Sequence, residues 1–298
     1  MSSSSSCNTL PDSPELETRN WLNLPPDVTS MILLKLGVIE ILFRAQFVCT
    51  KWWRICEDPG MWRIIDMRIK GLDYLNYINV MTFMCRLAID RSCGQLVDIT
   101  LERFAGNDLL KYIVNSTPHL RRLRLVICYG ISDQVMSEAA KKLPLLEELD
   151  NSFGSNSTVA LEAIGQSCPL LKSLKFNRAY RHRFMQDRDN EALAIAKTMP
   201  ELRHLELNGN QLTNDGLVAI LDGCPRLESL NLRRCFNLDL RCSLGKRCEE
   251  QIRDLRLPYT VPAVDLRIDS DLDEDDVGFY YDLAFTLIEN SVEDAYEF

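Results

Sequence analysis

Residues 225–232 read Pro-Arg-Leu-Glu-Ser-Leu-Asn-Leu, and residues 200–207 read Pro-Glu-Leu-Arg-His-Leu-Glu-Leu. Both stretches are copies of one frame, Pro-x-Leu-x-x-Leu-x-Leu, which recurs along most of the chain. Seven copies, two of them without the proline, begin in turn at Gly94, Pro118, Pro144, Pro169, Pro200, Pro225 and Glu250. Successive copies are 24, 26, 25, 31, 25 and 25 residues apart. A period of this length indicates a protein built from stacked structural repeats.

Each copy predicts one strand followed by one helix. The Leu-x-Leu alternation is that of a short strand with one buried face, and a helical pattern such as residues 214–221 fills the interval before the next proline. We therefore predict an α/β solenoid that resembles a leucine-rich-repeat horseshoe, with about seven repeats of ~25 residues over residues 67–257. Its strands are expected on the concave side and its helices on the convex side.

The net charge of −9 belongs to one end of the chain. Residues 264–298 contain twelve acidic residues and one base, Arg267, whereas residues 1–263 carry 33 bases against 31 acids. A body this close to neutral lacks the basic surface that nucleic-acid binding requires. We predict an acidic C-terminal tail over residues 258–298 and a disordered N-terminus containing Ser and Pro over residues 1–19.

Hydropathy and cysteine content exclude further classes of protein. No stretch approaches the roughly 18–20 consecutive apolar residues of a membrane span, and the Ser-rich start lacks the apolar core of a secretory signal. We therefore predict no membrane association, a location in the nucleus or cytoplasm, and eleven cysteines in the reduced state. The cysteines show no zinc spacing, so no metal or cofactor is expected, and Cys93, Cys168 and Cys224, which share one place in the frame, are predicted to be structural.

Residues 20–66 follow a different pattern. Leu24-Pro25-Pro26-Asp27 is a turn before a helix, and apolar residues then recur at helical spacing through Val48-Cys49-Thr50-Lys51-Trp52 to Trp62. These motifs resemble a small three-helix F-box, and an F-box followed by such repeats is similar to the plant F-box/leucine-rich-repeat proteins. Gly37 departs from that family, which often has an acidic or polar residue there, and is expected to loosen the turn between two helices.

The resemblance implies a function. F-box proteins of this kind dock onto a Skp-type adaptor of a cullin–RING (SCF-type) ubiquitin ligase, and their repeats hold a protein substrate, so the chain would be a non-catalytic substrate receptor. The alternative is a leucine-rich-repeat scaffold that acts outside any ubiquitin ligase. Trp53 and Trp62 are expected to pack against the first repeat. The adaptor contacts that carry over to this sequence are Leu24, Pro25, Ile32, Leu36, Val48 and Trp52.

Substrate specificity is expected on the concave face, where side chains alternate with the leucines. This face is polar and of mixed charge, which suits a protein surface rather than a polyphosphate. One row across it, Arg124, Asp150, Lys175 and Glu206, is predicted to form a ladder of alternating sign. The candidate substrate-binding residues are Arg122, Arg124, Glu148, Asp150, Lys175, His204, Glu206, Asn208, Asn231 and Arg233.

Two further possibilities concern a basic segment and catalysis. The 31-residue step inserts six residues within the basic segment 178–188, which binds an acidic or phosphorylated partner, forms a solvated loop, or meets the chain's own acidic tail. Three histidines, His119, His182 and His204, are present, but no nucleophile elbow or glycine-rich phosphate loop accompanies them. The sequence therefore predicts a protein that is not itself an enzyme.

Overall fold

The computed structural model describes residues 23–68, 78–178, 188–241 and 243–258. The chain divides into two compact units between Cys56 and Glu57. The predicted N-terminal segment 1–19, residues 179–187 of the basic insertion and all but the first residue of the acidic tail lie outside the described residues.

The first unit is helical. Pro25 precedes the first helix, and its carbonyl accepts the Thr29 hydroxyl at 3.0 Å. A proline is tolerated at a helix start, because the first N–H groups of a helix have no partner within it. The Lys51 ammonium donates to the Leu24 carbonyl at 2.6 Å. This bond joins the helix that contains Lys51 to the segment just before the first helix. The elements are α1 (Pro26–Leu34), α2 (Val38–Phe43), a 3-10 turn (Ala45–Phe47) and α3 (Thr50–Cys56).

Gly37 is a structural requirement of the turn between α1 and α2. Its backbone has φ +83° and ψ 161°, a region that only glycine occupies readily. The expectation that Gly37 loosens this turn is therefore wrong, because a residue with a Cβ would be strained there. The glycine allows a link of only three residues between the end of α1 and the start of α2.

The second unit is a parallel sheet with helices. Its strands lie side by side in chain order, and each pairs in parallel with the next. They are β1 (Ile64–Met67), β2 (Asp98–Glu102), β3 (Arg122–Val126), β4 (Glu148–Asp150), β5 (Ser173–Lys175), β6 (His204–Glu206), β7 (Ser229–Asn231) and β8 (Asp254–Arg256). The helices are α4 (Ile78–Arg91), α5 (Asn107–Ser116), α6 (Asp133–Ala140), α7 (Thr158–Ser167), α8 (Asn190–Thr198), α9 (Asn214–Gly223) and α10 (Ser243–Gln251).

The repeated leucines form the core of this unit. Leu123, Leu149, Leu174, Leu205 and Leu230 occupy one register position in successive strands and are all at most 2% exposed. The apolar faces of the helices are buried with them. These contacts confirm the predicted repeat-type α/β fold with a parallel sheet.

The N-terminal edge of the sheet differs from the prediction. Residues 64–66 lie within the predicted F-box range of 20–66, yet Ile65 pairs with Ile99 as part of the sheet. The predicted boundary at residues 66 and 67 thus falls inside β1. This strand has the alternation Ile65-x-Met67 but not the rest of the Pro-x-Leu-x-x-Leu-x-Leu frame, so the repeat pattern does not predict it.

Candidate functional site

The first candidate surface is formed by apolar side chains of the F-box-like unit. Among the six predicted adaptor contacts, Pro25, Leu36 and Val48 are exposed. Leu24, Ile32 and Trp52 are half-buried. All six therefore retain surface that another protein can contact.

Sequence reasoning missed several members of this surface. Met31 and Phe47 are 65% and 64% exposed, and Val28, Leu34 and Phe43 are exposed as well. Eight of the sixteen large apolar side chains exposed in the described part of the chain lie within residues 23–56. Exposed large apolar side chains concentrated in one small unit favour an interaction surface there. The signal was present in the run Met31-Ile32-Leu33-Leu34, of which only Leu33 is fully buried.

The two tryptophans expected to pack against the first repeat have different environments. Trp62 is almost fully buried, and the guanidinium of Arg91, at the end of α4, lies 5.3 Å from its ring centroid. Trp53 lies against Phe47, with ring centroids 5.8 Å apart, and keeps an exposed edge. Trp53 thus belongs to the apolar surface of the first unit.

The second candidate surface is the polar face of the sheet, which we call the open face. Strand pairing aligns two polar rows of side chains across it, in the order predicted from the repeat frame. The first row consists of Asp98, Arg122, Glu148, Ser173, His204, Ser229 and Asp254. The second consists of Thr100, Arg124, Asp150, Lys175, Glu206, Asn231 and Arg256.

Ion pairs link the first three polar strands of the open face. The nearly buried carboxylate of Asp98 accepts from Arg122 Nε and Arg124 Nη1, both at 2.7 Å. Arg124 also contacts Glu148 Oε2 at 3.2 Å. The arginines are therefore held in fixed positions by Asp98, and one side of each guanidinium is already occupied.

A second network runs across the middle of the open face. Asn177 Nδ2 donates to Glu206 Oε1 at 2.6 Å and to the Ser152 hydroxyl at 3.0 Å, and that hydroxyl in turn donates to Asp150. Lys175 Nζ lies 3.3 Å from Glu206 Oε2. The predicted ladder along one row is thus only partly formed, because Arg124 pairs with Asp98 and Glu148 rather than with Asp150.

The remaining predicted residues lie nearer the C-terminal end of the open face. His204 is exposed, and its ring makes no hydrogen bond or ion pair within the described residues. Asn231 Oδ1 accepts the Arg233 N–H at 3.1 Å, and Asn208 is half-buried. This end of the face therefore offers polar groups that the sheet's own pairing has not used, His204 above all.

One part of the basic insertion is a structural element. The Arg178 guanidinium stacks 4.3 Å from the Phe176 ring centroid and donates to the Asn156 carbonyl at 2.6 Å. It also pairs with Glu191 of α8 through Nε at 2.8 Å. The sequence left the insertion open between binding an acidic partner and forming a solvated loop, and for Arg178 the side chain is instead largely buried at the start of the insertion.

Comparison with known proteins identifies the family. A family model described as F-box-like matches residues 21–68. F-box protein SKIP19 of Arabidopsis thaliana is 49% identical over 264 residues, which cover 88% of this chain and 85% of that protein. Putative F-box/LRR-repeat protein 22 of the same plant is 46% identical over 249 residues, 83% of this chain and 80% of that protein. The chain belongs to the F-box/LRR-repeat family.

A further relative of this F-box/LRR-repeat protein is longer. Putative F-box/LRR-repeat protein 23 of Arabidopsis thaliana is 51% identical over 241 residues, which cover 80% of this chain and 54% of that protein. The chain thus spans about half the length of that relative.

The electrostatics of the F-box/LRR-repeat open face centre on one carboxyl group. Burial raises the pKa of Asp150 to about 6, although the Ser152 hydrogen bond and the nearby Lys175 lower it. On β1, burial also opposes ionisation of Asp66, yet its hydrogen bonds with Arg68 hold that pKa below the usual value. The pKa values of these two aspartates, which lie in the same row, are therefore shifted in opposite directions.

Chemically reactive groups were sought over the described ranges. Burial raises the pKa of Cys85, Cys128, Cys168 and Cys235 to about 12 and that of Cys224 to about 11, the opposite of what a nucleophilic thiol needs. Cys93 is exposed, so its predicted packing role is wrong for that residue. Within the described residues no His, Cys, Asp and Glu cluster could hold a metal ion. No described helix has the length and apolar character needed to span a membrane.

Proposed function

We propose that this F-box/LRR-repeat protein is the substrate-recognition subunit of an SCF-type E3 ubiquitin ligase. The F-box docks a Skp-type adaptor and, through it, the cullin and RING subunits, and the open face of the repeats binds a protein substrate. The chain itself is not catalytic in this proposal. It acts in the nucleus or cytoplasm, where ubiquitin ligases and reduced cysteines are found together.

The observation that carries the proposal is the exposed apolar surface of residues 23–56. Met31, Phe47 and Val48 are each more than 60% exposed, and Trp53 adds an aromatic edge beside Phe47. Such a set is costly in water unless a partner covers it. Short helices with apolar and aromatic anchors are a recurring means of docking into a groove on another protein.

Adaptor binding tests the proposal directly. Met31→Asp places a charge on the most exposed large apolar side chain of this unit. It is expected to weaken binding of a purified Skp-type adaptor at least tenfold, because burying an unpaired charge costs several kcal/mol. The double variant Leu24→Ala/Pro25→Ala is expected to weaken binding as well. Isothermal titration calorimetry gives the affinity, and circular dichroism checks the fold.

The matched control is Val159→Asp. Val159 lies on α7 and is 66% exposed, against 65% for Met31, so neither substitution places the new carboxylate in the core. Adaptor affinity should be unchanged in this control. Absence of binding by the wild-type chain, or equal loss in both variants, would exclude adaptor docking and leave a repeat scaffold as the alternative.

The open face supports a protein as substrate. Its rows alternate cationic, anionic and amide side chains on neighbouring strands, a mixture typical of protein–protein interfaces. Among the predicted residues, His204 is exposed and makes no hydrogen bond or ion pair within the described residues, and the same C-terminal part of the open face carries Asn208, Asn231 and Arg233. We place the principal substrate contacts there and treat Arg122, Arg124, Glu148, Asp150, Lys175 and Glu206 as charged contacts that are held in position by their neighbours.

A further inference from the structure

The C-terminal end of the sheet leaves its core incompletely covered. Leu255 and Leu257 occupy the two register columns whose other apolar members are at most 2% exposed, yet both are half-buried. In the described part of the chain no strand lies on the outer side of β8. The unpaired backbone N–H and carbonyl groups of such an edge can bind another strand, and natural proteins normally cover it.

The backbone of β8 presents its free hydrogen-bonding groups at Leu255. The Asp254 N–H donates to the Glu228 carbonyl at 3.0 Å, and the Arg256 carbonyl accepts the Leu232 N–H at 2.7 Å, so both residues face inward. Successive residues of a strand point their backbone groups in opposite directions. The N–H and carbonyl of Leu255 therefore point away from the sheet.

The sequence just beyond the described residues repeats the sequence of β8. Residues 254–257 read Asp-Leu-Arg-Leu, and residues 265–268 read Asp-Leu-Arg-Ile, preceded by Val264. Six residues, Pro-Tyr-Thr-Val-Pro-Ala, separate Leu257 from Val264. A parallel strand needs a connection of roughly a dozen residues or more, so only an antiparallel return is within reach.

We propose that residues 264–268 pair with the outer edge of β8 as an antiparallel strand in the same chain. The register that we assign places Leu266 opposite Leu255 and Val264 opposite Leu257 on the core side. On the open face it places Arg267 opposite Asp254 and Asp265 opposite Arg256. This pairing covers the two half-buried leucines and matches both pairs of opposite charges.

Charge selects this register over its neighbours. A shift of the returning segment by two residues in one direction places Asp265 opposite Asp254, and a shift in the other direction places Arg267 opposite Arg256. Like charges directly opposite each other destabilise an antiparallel pair. Shifts by one residue put the charged side chains on the core side. In the assigned register the charged residues form the non-hydrogen-bonded pairs, whose side chains approach most closely.

The antiparallel direction also determines which edge of the sheet the acidic residues 269–276 would approach. The chain would return to the edge of the sheet where strands begin, so Asp269 and the acids up to Asp276 would follow beside Arg253. The exposed side chain of Arg253 lies at that edge, and that of Arg203, which already pairs with Glu228 at 3.3 Å, lies two strands further in. The acidic segment then faces cations of the chain's own repeats, and the open face gains one further strand bearing Asp265 and Arg267.

Residue-resolved hydrogen exchange of the full-length chain tests the proposal. The amides of Leu255, Val264 and Leu266 are expected to exchange at least tenfold more slowly than those of residues 271–276, whereas the amides of Asp265 and Arg267 stay fast. Only strand pairing gives this alternation. Equal exchange across residues 264–276 would overturn the proposal.

A charge-exchange cycle tests the register. Arg256 is exposed and makes no side-chain hydrogen bond or ion pair within the described residues, so Arg256→Asp disturbs only the proposed contact. Arg256→Asp and Asp265→Arg should each speed exchange of Leu266 several-fold, and the double variant should restore the wild-type rate within twofold. Asp275→Arg, a control of the same charge change, should have no effect. Protection without this restoration overturns the register.

Light scattering separates pairing within one chain from exchange between two. The proposal expects a monomer whose protection of Leu266 is independent of concentration. A dimer whose protection disappears on dilution would show that a second copy occupies the edge and would overturn the assignment. Adaptor binding is a separate measurement, so failure of this proposal leaves the proposed function untouched.

Discussion

The carboxylate of Asp133, in the first turn of α6, accepts hydrogen bonds from both the backbone N–H and the hydroxyl of Ser157, the residue that caps α7. The two distances are 2.8 and 2.5 Å. Asp189 holds Thr213, the cap of α9, in the same way, with both distances at 2.7 Å. In both pairs the start of one helix is thus fixed by the start of the helix before it, so capping is shared between these repeats.

Asp133→Ala is expected to destabilise the repeats by about 1–3 kcal/mol, because two charge-assisted bonds to a cap are lost. Burial disfavours the charged form of Asp133, but the Ser157 and Asn156 hydrogen bonds outweigh it and lower the pKa. The stabilisation is therefore present above about pH 4 and is lost as the pH falls through the folded-state pKa. Urea unfolding at pH 7 and pH 3 measures both effects. Asp108→Ala, which removes an exposed first-turn carboxylate, is the control and should cost much less.

Asp150→Asn should stabilise the protein at neutral pH. A folded-state pKa of about 6 means that ionisation of Asp150 opposes folding. Wild-type stability is therefore expected to lose on the order of 1–3 kcal/mol from this group as the pH rises from 4 to 7. The advantage of Asp150→Asn in urea unfolding should grow over the same interval. Asp66→Asn should show the opposite sign, since the pKa of Asp66 is lowered. Equal pH profiles for the two variants would contradict this account.

Gly37→Ala should destabilise the F-box by about 1–3 kcal/mol, since a residue with a Cβ cannot adopt φ +83° without backbone strain. No atom lies within 4 Å of that Cβ position, so the effect comes from the backbone alone. Adaptor affinity should fall only through the unfolded fraction and should recover on cooling. Gly106→Ala, at a negative φ with an ordinary contact of 3.6 Å, is the control. A melting temperature unchanged by Gly37→Ala would contradict the prediction.

Thiol labelling separates the proposed receptor from a thiol enzyme. At pH 8 a water-soluble maleimide should modify Cys93 rapidly, since it is exposed. Cys128 and Cys235 are buried with pKa values near 12 and should react only after denaturation. Mass spectrometry of the labelled peptides identifies each site. Fast native labelling of Cys128 or Cys235 would show an activated thiol.

The repeat frame predicted the sheet well because it records a strong physical signal. Leucines that are buried in one row fix which residues lie between them, so the register of Arg124 with Asp150 follows from the sequence. The frame did not predict β1, which joins the sheet because Ile65 and Met67 pair with residues of β2. The helix starts gave no sign that Asp133 would serve Ser157, because that contact joins residues 24 apart.

The candidate sites were predicted less completely, since exposure depends on tertiary packing. The run 31–34 is apolar throughout, and only the folded unit shows that Leu33 is inside while Met31 faces outward. Arg178 illustrates the reverse case. Its sequence neighbours are basic, but its side chain is held by Asn156 and Glu191, which lie on either side in the chain.

The long step between β5 and β6 shows how this architecture tolerates change. Thirty-one residues separate Leu174 from Leu205, yet the two pair in the same register as leucines that lie 25 apart. Chain length between strands is thus independent of the composition of the polar rows. Duplicated genes could lengthen or shorten this connection during evolution while inheriting an unchanged open face, and a protein engineer could insert a reporter domain there for the same reason.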